Sequence, residues 1–593
     1  MNANHQDSEA QKAFRRGQSL HEQGQLDPAI HQYQQALQHH PQFPEALTGW
    51  GRALLSQGQV DEGLGKLVDA LQIQPDHVDA LVYLAQGLVD AGQQEDAIQF
   101  FLRALDVDSD LVAALHGLGR LFFSLGRWKE AGDYLRRVVE RVPDHLDAWS
   151  CLGMVSQRLG DWNAAEAMFR HVLRVQPEVS RGYNNFGSAL LERGDLAEAA
   201  RQFQHALVCR PDDPLAINNL GVAWQKMGDV AAALEQFRLA LRLKPDYFEA
   251  ANNMGLACQE LGRLDDALEC FRLAQRIKPD FADAHFNEGV IWLTRGDFAR
   301  GWRGYEWRLG MPKYRGHRIL KPAWEVTRLA GRRVLVYCEQ GFGDDLQFIR
   351  YVGHLVRAGA TVVVACPGAL ARLFATVPGV AHWMVDDAPA PECDDHILLL
   401  SLPLLFGTRL ETVPAVVPYL WPDPVLVERL GHRLVCGREF LKIGVVWRGN
   451  PEHLMDRHRS MPPEFFSRLS EVEGCCLVGL QKGATAVELE VFAGMQFVDM
   501  GDVLGDFADT AAVVAQLDGV IAVDTAVAHL AGALGKPVWL LLSVVSDWRW
   551  MLDREETPWY PTMRLLRQSS LGDWSGVMDR VKGVLDQMIK RKR

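Results

Sequence analysis

"LDAWSCLGMVSQRLGDWNAAEAMFRHVLRVQP", residues 146–177, holds two amphipathic helical periods with Gly160 between them and Pro177 at the end. In each half the apolar residues return every three or four positions, the spacing that gathers them on one helix face. Small residues at Gly153 and Ala165 let the two helices approach closely. Gly160 turns the chain, and Pro177 stops the second helix because proline has no N–H to donate. The stretch reads as a helical hairpin. One hairpin cannot bury its own apolar face, so the fold depends on whether the neighbours repeat it.

The neighbours do. Glycine falls at Gly24, Gly58, Gly92, Gly126, Gly160, Gly194, Gly228, Gly262 and Gly296, each 34 residues after the last. A second series runs Gly17, Gly51, Gly119, Gly153, Gly187, Gly221, Gly255 and Gly289, with Ala85 filling its gap. Prolines close the units at Pro41, Pro75, Pro143, Pro177, Pro211, Pro245 and Pro279, and Ser109 stands in once. Trp149-x2-Leu152-Gly153, then Ala165-x3-Phe169, then Pro177 is the tetratricopeptide pattern. Eight full units and a degenerate ninth are expected over residues 10–300, stacked as an α-solenoid, a tetratricopeptide superhelix. A bundle without repeats would not keep this register. Residues 1–9 are polar and read as a disordered start.

The concave groove of such a superhelix is lined by the first helix of each unit. Asn185, Asn219, Asn253 and Asn287 are spaced 34 apart there, and Asn184, Asn218 and Asn252 precede three of them. An asparagine amide both donates and accepts, so a column of amides can bind the backbone of an extended peptide whatever its side chains. The alternative is that these amides bond to neighbouring helices and fix the pitch. Peptide binding is the favoured reading, because the column is confined to the last repeats.

Bulk properties narrow the function. A formal net charge of -13 argues against nucleic-acid binding, which depends on clustered Lys and Arg. The 10 cysteines form no CxxC and no Cys/His zinc spacing, so most are expected as buried thiols in a reducing compartment. Cys475 and Cys476 lie in a strand-like run, where adjacent side chains face opposite ways and cannot bridge. The start has no basic flank and no apolar core, unlike a signal peptide. The longest apolar runs, such as Val538-Trp-Leu-Leu-Leu-Ser-Val-Val, are too short for a membrane span. A cytoplasmic protein is expected.

From Gly301 the rhythm changes. Residues 301–331 are dense in aromatics and arginines, the composition of a packed connector and not of a flexible linker. Beyond it, short apolar runs alternate with helical periods. Strands are expected at 333–339, Thr361–Cys366 and His396–Leu400, with helices near 345–358 and 368–377. A second set of strands falls at Leu441–Trp447, Cys475–Leu480, Gly519–Asp524 and Pro537–Leu542, with helices near 462–472, 508–517, 525–534 and from 574 to the end. The proline-studded stretch from Val413 to Pro424 separates an N-terminal half, 332–424, from a C-terminal half, 425–593. Two doubly wound parallel sheets leave a cleft at the carboxyl ends of their strands, where open α/β sheets bind ligands.

Two segments bring chemistry to that cleft. "CEQGFGDDLQF", 338–348, follows a strand and precedes a helix, as a phosphate-binding turn does. Yet Leu346 stands where a dinucleotide fingerprint needs its third glycine, no Lys-Ser/Thr follows, and Asp344 would repel a phosphate. Asp344 on a tight turn suits a general base, or it caps the helix through its side chain; the local sequence leaves both open. The second segment, Asp524-Thr525-Ala526-Val527-Ala528-His529, follows a strand directly. Its small residues leave helix N–H groups open to an anion, Thr525 adds a hydroxyl, and His529 lies one turn in, as a ligand group or a packed residue. Arg448 and Lys482 each follow a strand and bring cations to the same edge.

These motifs carry a resemblance. Strand-Gly-x-Gly-Asp-helix, followed by strand-Asp-Thr-x-x-x-His-helix, resembles the ADP-heptose:lipopolysaccharide heptosyltransferases, which have the two-Rossmann GT-B fold. With the repeats, "YEWR", "EQGFGDDLQF", "VDTAVAHLAGALGKPVW" and "DWRWMLDREETPWYP", nearly the whole chain is similar to bacterial repeat-fused glycosyltransferases, which include flagellin glycosyltransferases. In architecture it also resembles the eukaryotic O-linked N-acetylglucosamine transferase.

The resemblance implies an inverting, metal-independent glycosyltransferase that moves a sugar from a nucleotide sugar to Ser or Thr of a flagellin-like protein presented by the repeats. No cofactor is expected beyond the nucleotide-sugar co-substrate. Asp344 becomes the base, with Gln340, Gly341 and Gly343 as its loop. Arg448, Asn450, Gln481, Lys482, Asp524, Thr525, Ala526 and His529 become donor-binding residues, and Asn185, Asn219, Asn253 and Asn287 bind the peptide. Trp447-Arg448-Gly449-Asn450 departs from the heptosyltransferase lysine motif, which leaves the donor open. The D-x-D of metal-dependent transferases occurs at Asp106-Val-Asp108, in a repeat turn. Two alternatives stay open: a non-catalytic scaffold with a degenerate transferase half, and a transferase acting on a lipid-linked glycan. Homo-oligomerisation through the repeats is a further option.

Overall fold

The structure is a computed structural model that describes residues 2–311, 329–385, 391–437, 439–451 and 456–592. The chain divides into two compact units, Met1–Lys244 and Pro245–Arg593.

The first unit is fourteen helices, from Asn2–Glu22 to Val230–Leu243, arranged as seven successive pairs. Its two glycine series have different physical causes. Gly160 has φ +81°, a left-handed conformation, and a Cβ added there would touch nothing within 4 Å. The backbone alone requires that glycine. A Cβ at Gly153 would instead lie 2.9 Å from the Phe169 ring, and one at Gly187 2.7 Å from Phe203. Here the tight packing of one helix on its partner's aromatic ring excludes a larger residue. The start differs from expectation. Residues 2–9 are the first turns of the helix Asn2–Glu22, which has no proline and meets no glycine before Gly17.

The second unit opens with four helices, Phe248–Glu260, Leu264–Ile277, Ala282–Thr294 and Phe298–Tyr305. The last of these hairpins packs on the α/β part, and the compact unit begins at Pro245. The contact is aromatic. Trp302 is buried with its ring centroid 5.3 Å from Trp548 and 6.1 Å from Phe348, and Phe298 stacks on Trp559 at 5.8 Å. Residues 312–328 of the expected connector lie outside the described residues, while Trp302, Tyr305, Arg308 and Met311 before them are buried.

Two parallel sheets follow. In the first, β1 (Arg333–Tyr337), β2 (Thr361–Cys366), β3 (His382–Val385) and β4 (Asp395–Leu398) lie in the order β3-β2-β1-β4. In the second, β5 (Leu441–Val446), β6 (Cys475–Gly479), β7 (Phe497–Asp499), β8 (Gly519–Val523), β9 (Val538–Leu542) and β10 (Met563–Arg567) lie in the order β10-β9-β8-β5-β6-β7. β6, β8 and β9 are buried along their whole length, as their unbroken apolar runs imply. The sequence reading missed β3, β7 and β10, three of the four strands at sheet edges; β3 and β7 are only four and three residues long, and the exposed Arg564 breaks the apolar run of β10. The chain order reverses between β1 and β4 and again between β5 and β8. A crevice opens at the carboxyl ends of such strand pairs.

The helix expected from residue 345 starts at Phe342, which moves Gly343 and Asp344 from the turn into its first turn. The strand-like pair Cys475 and Cys476 does not bridge to itself; Cys476 is joined to Cys436, with 6.4 Å between the Cα atoms, and the other eight cysteines are thiols. No helix among the described residues is long and apolar enough to cross a membrane.

Candidate functional site

At the first switch point, β1 leads through Gln340 and Gly341 into the helix Phe342–Phe348. Gln340 holds φ +67°, a conformation uncommon for a residue with a side chain and one that marks a constrained turn. The buried Tyr305 hydroxyl donates to Gln340 Oε1 at 3.1 Å. Beneath the turn, the fully buried Arg308 donates to both oxygens of Glu339, at 2.6 and 3.1 Å. Asp345 points inward and accepts the Glu339 N–H at 3.1 Å; burial, then the charge of Asp344, raises its carboxyl well above the ordinary range. Asp344 faces the cleft with its side chain 17% exposed. Its Oδ2 accepts the Gly341 N–H at 3.0 Å, and its Oδ1 accepts from Arg549 Nη2. It therefore caps its helix and holds an ion pair at once.

At the second switch point, β8 runs through Asp524 and Thr525 into the helix Ala526–Ala533. No side chain caps this helix, and the buried Thr525 hydroxyl has no partner. Ser543, which follows the adjacent strand β9, also has a buried hydroxyl without a partner. His529 is buried, shares a hydrogen bond between Nδ1 and the Tyr560 hydroxyl at 3.0 Å, and stacks on Trp550 at 5.2 Å. Burial, with the charges of Arg549 and Arg350, pushes its ring well below the usual pKa, so it is neutral. Asp524 is pushed up to about 6 by burial and by the neighbouring Asp547, against a hydrogen bond from Trp550 and the pull of Arg459 and Arg549. Its Oδ1 lies 3.9 Å from His529 Nε2.

These two points meet. A Cβ on Gly343 would fall 3.0 Å from His529 Cδ2 and 3.8 Å from Ala526 Cα, so the glycine turn lies directly against the start of the second helix. Arg549 joins them from a third segment. Its guanidinium, 8% exposed, donates to Asp547 Oδ1 at 2.8 Å, to Gln347 Oε1 at 2.7 Å and to Asp344.

The remaining expected residues are arranged differently. Gln481 Oε1 accepts the N–H groups of Trp447 and Arg448 at 3.3 and 3.1 Å, tying the ends of β5 and β6. The charge of Arg448 is compensated by Glu488 at 2.8 Å. Although burial opposes it, Glu488 is held at about 2 by hydrogen bonds from Arg448, Thr485 and Trp447. Lys482 is exposed and donates to the Gly505 carbonyl at 3.0 Å, and Asn450 is exposed. Asn219 Nδ2 donates to Asn184 Oδ1, and Asn287 Nδ2 to Asn252 Oδ1, each at 3.0 Å. Those two amides thus bond from one repeat to the next, the pitch-fixing arrangement, and all four column residues are half-buried. A cavity of about 710 Å³ at the amino ends of β5 and β6, lined by Leu441, Leu477, Met495, Leu585 and Ile589 among others, contains none of the expected site residues.

Sequence reasoning missed Arg549, Asp547, Ser543 and Tyr560. A signal was present in "DWRWMLD", 547–553, where an arginine sits between two tryptophans and follows an aspartate by two. Met551 and Asp553 in that stretch hold φ +53° and +49°, a further mark of constraint.

Sequence profiles of the tetratricopeptide repeat match residues 144–212, 54–119, 88–155, 219–280 and 259–301, and one described as TPR repeat matches 17–58. The chain is 28% identical over 322 residues to Protein FlbA of Caulobacter vibrioides, covering 50% of this chain and 54% of that protein. It thus spans about half the length of that curated relative. Among solved structures, a tetratricopeptide repeat protein from Parabacteroides merdae is 16% identical, covering 42% of this chain and 99% of its own, with TM-score 0.37. Yeast Tom70 is 17% identical, covering 42% and 56%, with TM-score 0.35. YrrB, described as a TPR protein with an unusual peptide-binding site, is 24% identical, covering 31% and 95%, with TM-score 0.25.

Proposed function

We propose that the second unit is a GT-B glycosyltransferase and that the repeats present its protein acceptor. The observation that carries this reading is the contact between the Gly-x-Gly-Asp turn and the open N-terminus of the helix Ala526–Ala533, at the switch points of two parallel sheets. A nucleotide sugar would place its diphosphate at that helix end, on N–H groups and the unpartnered Thr525 hydroxyl. An acceptor Ser or Thr hydroxyl then attacks the anomeric carbon from the opposite face. Its proton passes to the Asp344 carboxylate. The bond from that carbon to the phosphate oxygen breaks, its electron pair leaves with the nucleoside diphosphate, and the configuration inverts. Positive charge from the helix end and from Arg549 stabilises the leaving phosphate, which is why the reading needs no metal.

One observation favours the scaffold alternative: both oxygens of Asp344 are already engaged, by Gly341 and Arg549. The test is incubation of the purified chain with a panel of nucleotide sugars, followed by thermal shift and by release of nucleoside diphosphate. A shift with one nucleotide, with turnover lost by about a hundredfold or more in Asp344→Asn, supports the transferase. No shift with any nucleotide sugar favours the scaffold. Unchanged turnover in Asp344→Asn leaves that residue as a helix cap.

A further inference from the structure

We propose that Arg549 is a latch: it holds Asp344 in the resting site and lets go of it to bind the diphosphate of an arriving nucleotide. This rests on the transferase reading and adds an order of events to it. Three facts support it. Arg549 spends its donors on Asp344, Gln347 and Asp547, so a carboxylate that must accept a proton is neutralised by an ion pair before any ligand arrives. Arg549 bonds Asp344, whose neighbour Gly343 lies directly against His529 and Ala526, so the guanidinium stands beside the helix end proposed for the diphosphate. In the same half the Thr525 and Ser543 hydroxyls are buried without partners, as is the amide nitrogen of Gln347, whose oxygen Arg549 holds.

Guanidinium binds phosphate through paired N–H donors and prefers its higher charge to a carboxylate. A diphosphate on the helix end would draw Arg549 from Asp344, and Asp344 would keep its Gly341 contact with Oδ1 freed for the acceptor hydroxyl. Donor binding and base release become one event.

Binding of ADP, UDP, GDP and CDP to the full chain, measured by calorimetry, tests this in a double-mutant cycle. The latch predicts that Asp344→Asn binds the preferred nucleotide about tenfold tighter than the natural chain, because Arg549 no longer has to leave a carboxylate. Arg549→Gln binds about tenfold weaker or worse, and in that background Asp344→Asn brings no tightening. Equal tightening in both backgrounds would mean simple relief of charge repulsion and would overturn the latch, as would unaltered affinity in Asp344→Asn. Arg549→Lys, which keeps the charge, serves if the glutamine variant does not fold; with it the tightening by Asp344→Asn persists. If the natural chain binds none of the four nucleotides, the transferase reading fails and the latch with it. Binding without the predicted coupling removes the latch alone.

Discussion

Replacing Glu339 by Gln removes one charge from the support beneath the glycine turn while keeping the side chain's shape. Glu339 has a side chain 2% exposed and takes two hydrogen bonds from the fully buried Arg308, and its Oε1 also accepts the Leu400 N–H at 3.1 Å. Arg308 keeps Glu306 at 2.6 Å and Ser401 at 2.8 Å in the variant. Breaking a buried pair costs about 3–5 kcal/mol because the surviving charge is left desolvated. The remaining Glu306 partner argues for the lower end. In a unit of this size each kcal/mol moves Tm by about 2 °C, so Glu339→Gln should lower Tm by about 6 °C. Tryptophan fluorescence during heating reads the second unit through Trp302, Trp548, Trp550 and Trp559, all buried there. Asp133→Asn, which breaks a pair with side chains 60% and 66% exposed, is the control and should not move Tm. The double substitution Arg308→Met with Glu339→Leu removes both charges of that pair and leaves only the partly exposed Glu306 without its guanidinium, so it should recover part of the loss. A Tm for Glu339→Gln within a degree of the natural chain would refute the reasoning, and so would a double variant less stable than the single one.

Three further outcomes follow from other sites. Gly153→Ala pushes a Cβ to 2.9 Å from Phe169 and should cost about 1–3 kcal/mol, relieved by adding Phe169→Leu; Gly160→Ala should cost about 1 kcal/mol with no such relief, because its strain is in the backbone. Both are read by urea unfolding. For Asp524 the folded carboxyl sits near 6, above the ordinary 3.8. The folded state therefore binds more protons between those values, and stability falls as pH rises through that window. Asp524→Asn should raise Tm at pH 7.5, with the gain shrinking toward nothing by pH 4; a constant difference across the range would contradict the assignment. Gly343→Ala places a Cβ 3.0 Å from a His529 ring fixed by Trp550 and Tyr560, so it should lower Tm, and His529→Ala in the same chain should restore part of it.

How much of this was legible depended on whether the cause was local. The repeat register was, because each turn glycine answers to its own φ and each packing glycine to a close neighbour in the same hairpin, a ring at Gly153 and Gly187, Leu135 at Gly119 and the Gly304 backbone at Gly289. The central strands were too, since burial on both faces leaves an unbroken run of apolar residues. The edge strands β3, β7 and β10 were not, since β3 and β7 are too short to form a run and Arg564 interrupts β10, whereas the edge strand β4 was read because its apolar run continues to Leu400. The two motifs of the candidate site were found at the carboxyl ends of β1 and β8, but their partners were not. Arg448 and Arg549 are the same residue type at the same kind of sheet edge. One is neutralised by Glu488, forty residues on, and the other by Asp344, about two hundred residues back. Nothing within a few residues of either decides that.

The same limit explains the asparagine column. An amide donates and accepts equally well toward a peptide or toward the next repeat, so spacing alone cannot choose. The donors of Asn219 and Asn287 are spent on Asn184 and Asn252, yet the column residues remain half-exposed. Each amide has two N–H donors and an oxygen with two lone pairs, so Asn219, which gives one N–H to Asn184 and accepts one from Asn218, has not used its full capacity. Fixing the pitch and binding a backbone are therefore compatible. Asn219→Ala with Asn253→Ala separates them: loss of acceptor affinity with Tm unchanged assigns the column to recognition, and a lowered Tm with affinity intact assigns it to the superhelix alone.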